Sequence, residues 1–73
     1  METHDLHGLN LEESLALVER LIGKIRLQGR EGMLKFITGR GAIREELMRY
    51  FRQNNIDHGF ELGNDGVINA TID

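Results

Sequence analysis

The segment Asp5-Leu6-His7-Gly8 places a carboxylate and an imidazole two positions apart, directly before a glycine. Because alternate side chains of an extended chain share a face, Asp5 and His7 are predicted to point together while Leu6 turns into the core. An imidazole transfers protons near neutral pH, and a neighbouring carboxylate can orient it or stabilise its charged form. The pair is therefore a candidate for proton transfer at a phosphate centre. The alternative is a strand end whose two polar side chains face water.

A second segment, Thr38-Gly39-Arg40-Gly41, follows an apolar run and leads into a predicted helix. The unpaired N–H groups and the dipole of a helix N-terminus favour an anion, and glycines let a phosphate approach the backbone. Arg40, together with Arg44 in the first helical turn, would add charge-assisted hydrogen bonds. The segment is too short for a nucleotide-binding P-loop, and a plain strand-to-helix turn is the alternative.

The basic residues of the chain are concentrated in its middle, although the net charge is −3. All nine Lys and Arg residues lie between Arg20 and Arg52, where only three acidic residues occur, which leaves a local charge of +6. Such a stretch can form an anion-binding face on an acidic protein. Two ordinary solvated helix surfaces would give the same pattern.

The composition excludes several classes of protein. Cysteine is absent, which excludes a disulfide scaffold and thiolate chemistry and agrees with the reducing cytoplasm that we expect. The first residues are polar, unlike a signal peptide, and no apolar run approaches the roughly 20 residues of a membrane span. The three histidines lack the spacing of metal ligands. We expect His4 to be solvated near the terminus and His58 to lie in a loop.

Hydrophobic spacing predicts alternating strands and helices within one domain, residues 1–73. An extended segment at Thr3–His7 precedes a helix at Leu11–Gln28, which Asn10 and Glu13 cap and Gly29 ends. The later elements are a buried strand, a helix and two strands joined by a Gly-Asn-Asp-Gly turn, at Met33–Thr38, Ala42–Asn54, Phe60–Leu62 and Val67–Ile72. The four aromatic residues are all expected in the core: Phe36, Tyr50, Phe51 and Phe60. The sequence therefore gives little support for stacking of nucleobases on exposed aromatic rings.

The order β-α-β-α-β-β predicts an α/β two-layer sandwich, with a mixed four-stranded sheet and two helices on one face. Binding sites in such sheets lie beyond the carboxyl ends of the parallel strands. Both candidate segments follow the first two strands, so we expect them to meet at one edge of the sheet.

The residues from Asp5 to Leu15 resemble the opening of the Smr (small MutS-related) domain, in which a DLHG strand end precedes a capped helix. Phe36–Gly41 is similar to its second motif, H-G-x-G, with Thr38 where many bacterial members have histidine and others have threonine. The helix Ala42–Phe51 resembles the family's A-L-R-x-x-V-x-x-Y-L pattern, and the segment from Gly66 resembles its closing strand. The resemblance covers nearly the whole chain.

The resemblance implies a domain that nicks or cleaves DNA or RNA, in some members messenger RNA on stalled ribosomes. It also implies a fold similar to the C-terminal domain of a bacterial translation initiation factor. Asp5 and His7 carry over as the cutting pair. The resemblance identifies the phosphate-binding loop as Gly39, Arg40 and Gly41. We add three residues from the two candidate segments and the following helix as further phosphate-binding candidates: Gly8, Thr38 and Arg44.

The expected partner is nucleic acid, and the ribosome is a further candidate. RNA is slightly favoured over DNA because a ribose 2′-hydroxyl is a built-in nucleophile. No cofactor is required by this scheme, and the participation of a divalent metal ion stays open.

Two rival classes of function fit the sequence. A non-catalytic nucleic-acid or ribosome-binding module would show salt-dependent binding without a product, and a protein-interaction domain would show neither.

Overall fold

Four strands and two helices follow one another in the predicted order. The computed structural model describes residues 1–73. In chain order the elements are β1 Glu2–Asp5, α1 Leu11–Leu27, β2 Gly32–Ile37, α2 Ala42–Gln53, β3 Asp57–Glu61 and β4 Asn64–Ile72. Neither helix has the length and apolar composition needed to cross a membrane.

The four strands form one mixed sheet in the order β1-β2-β4-β3. β1 pairs with β2 in parallel, and β4 pairs antiparallel with both β2 and β3. The parallel pairing continues one residue beyond β1, where the N–H of Leu6 donates to the carbonyl of Ile37 at 2.9 Å. The carboxyl ends of β1 and β2 therefore lie side by side, as predicted.

Both helices pack on one face of the sheet and share a single core with it. Alternate residues of β2 and β4 point into this core, and the positions between them on β2 are more exposed because no helix covers the opposite face. The buried cluster consists of Leu6, Val18, Ile22, Ile25, Leu34, Phe36, Leu47, Phe51, Ile56, Ile68, Ala70 and Ile72. The two-layer arrangement is confirmed.

The helix α1 begins at the predicted residue and ends one residue before the predicted end, with Gln28 as its C-cap. The side chain of Asn10 accepts from the N–H of Glu13 at 2.8 Å, and the N–H of Asn10 donates to the carboxylate of Glu13 at 3.0 Å. This reciprocal capping box satisfies backbone donors that the first helical turn leaves unpaired. At the other end Gly29 adopts a φ of +65°, the left-handed conformation that stops helices.

The C-terminal hairpin differs from its prediction. β3 begins at Asp57, and only Leu62 and Gly63 separate it from β4. The ladder to β4 extends along the whole of β3, so His58 lies in a strand opposite Ala70. The expectation that His58 lies in a loop is wrong, because strand pairing organises residues whose local sequence predicts no strand.

His4 also differs from its prediction. Its ring stacks on Phe36 with 6.0 Å between ring centroids, and its side chain is 24% exposed. The ring hydrogen-bonds Glu2 at 3.1 Å, which lowers the pKa of that carboxyl. His4 is only partly solvated, because it lies opposite Phe36 in the parallel ladder, on the face that the helices cover.

Candidate nucleic-acid interface

The turn that follows β1 holds His7 in place. The N–H of Leu9 donates to the carbonyl of Leu6 at 3.0 Å, so His7 and Gly8 form the centre of a tight turn. The carboxylate of Asp5 accepts the N–H of His7 at 3.0 Å. His7 thus lies beyond the strand, and a turn rather than strand alternation brings it to Asp5.

The imidazole of His7 and the carboxylate of Asp5 face solvent together. The Nδ1 of His7 is 3.7 Å from Oδ1 of Asp5, and the two side chains are 79% and 58% exposed. This separation exceeds that of a hydrogen bond. The ring is free to reach a bound molecule, which is the geometric requirement for a proton-transferring group.

The loop between β2 and α2 is fixed to the start of β4. The N–H groups of Thr38 and Gly39 both donate to the carbonyl of Gly66, at 2.9 and 3.1 Å. Gly39 has a φ of +71°, which L-residues with a side chain rarely adopt. Glycine therefore permits the sharp turn into α2 without the strain that a side chain would add here.

The N-terminus of α2 is left open by its own residues. Gly41 is the N-cap and makes no side-chain capping bond. In contrast with α1, no side chain caps the N–H groups of residues 42–44, and these groups present the positive end of the helix dipole. A Cβ built at Gly41 would meet no atom within 4 Å, so the backbone is accessible here.

Thr38 lies behind the loop, not on its surface. The residue is only 5% exposed. The single proton of its hydroxyl is shared between the carbonyls of Gly39 and Gly66, whose oxygens lie at 2.8 and 3.2 Å. Thr38 is therefore buried, unlike the other residues of the segment Thr38–Gly41. Its hydrogen bonds fix the conformation of the loop from the inside.

Both predicted arginines converge on Asp65 at the start of β4. The Nε of Arg40 is 2.7 Å from Oδ1 of Asp65, and Nη1 of Arg44 is 3.6 Å from Oδ2. Arg44 also donates to the backbone carbonyl of Asp65 at 3.2 Å. The side chain of Arg40 is 74% exposed, whereas that of Arg44 is 21% exposed. Arg40 is therefore the accessible cation, and Arg44 ties α2 to the hairpin.

Sequence reasoning missed the role of Asp65. The only signal was an acidic residue in a predicted turn, and nothing local connects that residue to an arginine 21 positions earlier. In this structure the anionic partner that both arginines share is therefore a residue of the chain itself.

Phe60 is exposed, contrary to the expectation that it lies in the core. It is 45% exposed, and the guanidinium carbon of Arg44 lies 5.6 Å from its ring centroid. The reason is its position near the end of β3, which is an edge strand of the sheet. The other three aromatic residues pack against one another, with 6.1 Å between the rings of Phe36 and Phe51 and 5.8 Å between those of Tyr50 and Phe51.

The other two histidines do not reach this edge of the sheet. His4 faces the helices, and the ring of His58 packs against Phe51 with 5.3 Å between centroids. No group of three or more histidine, cysteine, aspartate or glutamate residues is placed to hold a metal ion. His7 is therefore the sole imidazole beside the loop.

Comparisons with known proteins agree with this architecture. The crystal structure of the Smr domain of Thermus thermophilus MutS2 matches with a TM-score of 0.83 and 21% identity, covering 100% of this chain and 99% of that one. At this identity the likeness establishes the fold. A search of curated proteins gave no match. The family model of the Smr domain matches residues 4–71, nearly the whole chain. The chain therefore belongs to the Smr domain family, which in general comprises nucleic-acid-binding and nicking modules.

Proposed function

We propose that this domain binds the phosphodiester backbone of a nucleic acid at one edge of its sheet and cleaves it, with RNA slightly favoured over DNA. The observation that carries the proposal is the hydrogen bond from Leu6 to Ile37, at 2.9 Å. It joins the carboxyl ends of β1 and β2, so the turn bearing His7 and the loop Gly39–Gly41 leave the sheet next to each other. One bound phosphodiester can then meet an imidazole and a cationic, glycine-lined loop.

The loop supplies what a phosphate requires. The N–H groups at the start of α2 have no capping side chain, and Arg40 is exposed beside them. Gly8 and Gly41 both have open space where a side chain would begin. Arg40 now pairs with the negative charge of Asp65, and a phosphate carries the same sign of charge. The arginine can therefore exchange the carboxylate for a phosphate oxygen. Thr38 contributes by shaping the loop.

The proposed reaction on RNA uses the 2′-hydroxyl of the substrate. His7 accepts the proton of this hydroxyl as its oxygen attacks the phosphorus, and Asp5 stabilises the imidazolium that forms. The bond from phosphorus to the 5′-oxygen breaks and the leaving oxygen takes a proton from solvent water, which leaves a 2′,3′-cyclic phosphate and a 5′-hydroxyl. Arg40 and the helix N–H groups stabilise the negative charge that develops on the phosphate oxygens.

A binding module without cleavage is the second candidate, and the single histidine at this edge favours it. Cleavage needs a group that accepts a proton and one that donates a proton to the leaving oxygen. His7 supplies one such group, and Thr38 stands buried where many members of the family have a second histidine. Steeply salt-dependent binding with no product would identify this function.

The test is cleavage of labelled RNA and of supercoiled DNA circles, with and without EDTA. We expect His7→Ala to lower the cleavage rate by about 100- to 10,000-fold, the usual contribution of a general base. His4→Gln is the matched control, because His4 lies on the helix-covered face and should keep full activity. Equal cleavage by wild type and His7→Ala would overturn the mechanism.

A further inference from the structure

We infer that Phe60 and the groove beside it form a stacking site for an unpaired nucleobase, an inference that rests on the proposed function. The base would belong to the strand whose phosphate occupies the loop Gly39–Gly41. The site would make single-stranded nucleic acid the preferred substrate, because a base within a duplex has no free face to offer.

The groove has the chemistry of a base-binding surface. Its volume is about 100 Å³, and its lining is mainly apolar: Met48, His58, Gly59, Phe60 and Ile68. Phe60 is 45% exposed although it lies on the helix-covered side of β3, opposite Ile68. Aromatic rings that remain partly exposed beside cationic groups are the usual platforms on which single-stranded binders stack bases.

Arg44 connects the groove to the proposed phosphate site. Its guanidinium carbon lies 5.6 Å from the centroid of the Phe60 ring, while its Nη1 reaches the carboxylate of Asp65 at 3.6 Å. A single side chain thus spans the aromatic platform and the proposed phosphate site. Base and phosphate are joined through one ribose in a nucleotide, so this spacing matches one strand crossing both features. The guanidinium plane can also extend the stack.

Charge favours a nucleic acid over an apolar peptide as the occupant. Arg44 lies over the Phe60 ring, and both arginines already pair with carboxylates, Arg40 with Asp65 at 2.7 Å and Arg44 with Glu45 at 2.9 Å. A nucleobase brings its own phosphate to these cations. An apolar peptide segment would leave their pairing unchanged and gain nothing from them.

The test compares two fluorescent single-stranded RNA probes of equal length, one with bases and one with an abasic stretch, by anisotropy. We expect wild type to bind the probe with bases more tightly. Phe60→Ala should weaken that binding by about 5- to 150-fold, the range for loss of one stacked base, and should leave binding to the abasic probe unchanged. Phe60→Trp should restore the preference.

Leu62→Ala is the matched control, because Leu62 is fully exposed in the neighbouring turn and has no ring. In wild type, the ring-proton resonances of Phe60 should move with the probe that carries bases and stay fixed with the abasic one. This measurement does not depend on how well a variant folds. Equal affinity of wild type for both probes, with an unmoved Phe60 ring, overturns the stacking site and leaves the proposed phosphate site standing. No binding of either probe overturns both.

Discussion

Asp65 holds the two arginines at the positions from which they would contact a phosphate. It pairs with Arg40 at 2.7 Å and with Arg44 at 3.6 Å. The pair with Arg40 is exposed, and exposed ion pairs contribute little to stability because water and salt screen them. Such a contact exchanges readily, so the carboxylate can give way to a phosphate when nucleic acid arrives.

At this residue scale, Asp65→Asn is predicted to raise affinity for single-stranded RNA by about 2- to 5-fold, the equivalent of one exposed ion pair. The salt dependence of binding should steepen, since Arg40 no longer has a competing carboxylate. Anisotropy over a range of salt concentrations measures both effects. The matched control is Asp57→Asn, which removes an exposed aspartate near the start of β3. Weaker binding by Asp65→Asn would show that the carboxylate is needed to hold the arginines.

The residue types at the site were predictable, but their partners were not. The candidate pair Asp5 and His7 follows from neighbouring positions in the sequence. The contact between Arg44 and Asp65 joins residues 21 positions apart, and it depends on how the hairpin turns beside α2. The exposure of Phe60 also depends on tertiary structure, because an aromatic residue in an apolar run gives the same pattern in a central strand and in an edge strand.

At the scale of the elements, the turn after β1 and the loop after β2 use glycine differently. Gly39 has a φ of +71°, whereas Gly8 is not among the residues with positive φ. A Cβ at either position would meet no atom within 4 Å. Backbone conformation alone therefore distinguishes the two positions in the free protein.

Gly39→Ala is predicted to lower the free energy of unfolding by about 1–2 kcal/mol, the cost of left-handed backbone for a residue with a Cβ. Gly8→Ala should change it by less than about 0.5 kcal/mol. Urea denaturation followed by circular dichroism measures both. Equal losses in the two variants would contradict the assignment of strain to the β2–α2 loop.

The face of the sheet that no helix covers carries a polar network. Glu61 at the end of β3 forms an ion pair with Lys35 on β2 and accepts a hydrogen bond from Asn69 on β4 at 3.2 Å. The hydrogen bond with Lys35 and then that with Asn69 lower the pKa of the Glu61 carboxyl below its ordinary value. The charged carboxylate thus joins three neighbouring strands.

This network predicts a pH dependence of stability. A carboxyl whose pKa is lower in the folded chain stabilises the fold above its unfolded pKa, and that contribution is lost as the pH falls through the folded value. Stability should therefore drop below about pH 4.5, the ordinary pKa of glutamate. This loss of stability at acidic pH should be smaller in Glu61→Gln and in Lys35→Met than in the wild type. The double variant should show the same reduced loss as either single variant. Thermal melts between neutral and acidic pH measure it, and an unchanged slope in Glu61→Gln would contradict the account.

At the scale of the whole molecule, the alternation of strands and helices was sufficient to predict the architecture. Parallel pairing of β1 with β2 follows from the helix that separates them, and it brings the two candidate segments to one edge. Element boundaries were less predictable, most clearly in the hairpin, where β3 begins at Asp57. Its register depends on cross-strand pairing with β4, including an irregularity between Phe60 and Glu61, which local propensity does not record.

The central claim is that the turn after β1 and the loop after β2 together bind one stretch of phosphodiester backbone. Backbone amide resonances recorded during titration with a short single-stranded RNA test it most directly. The shifts should cluster at His7, Gly8 and residues 39–44, and added salt should suppress them. Shifts centred instead on the basic last turn of α1, at Lys24 and Arg26, would contradict it.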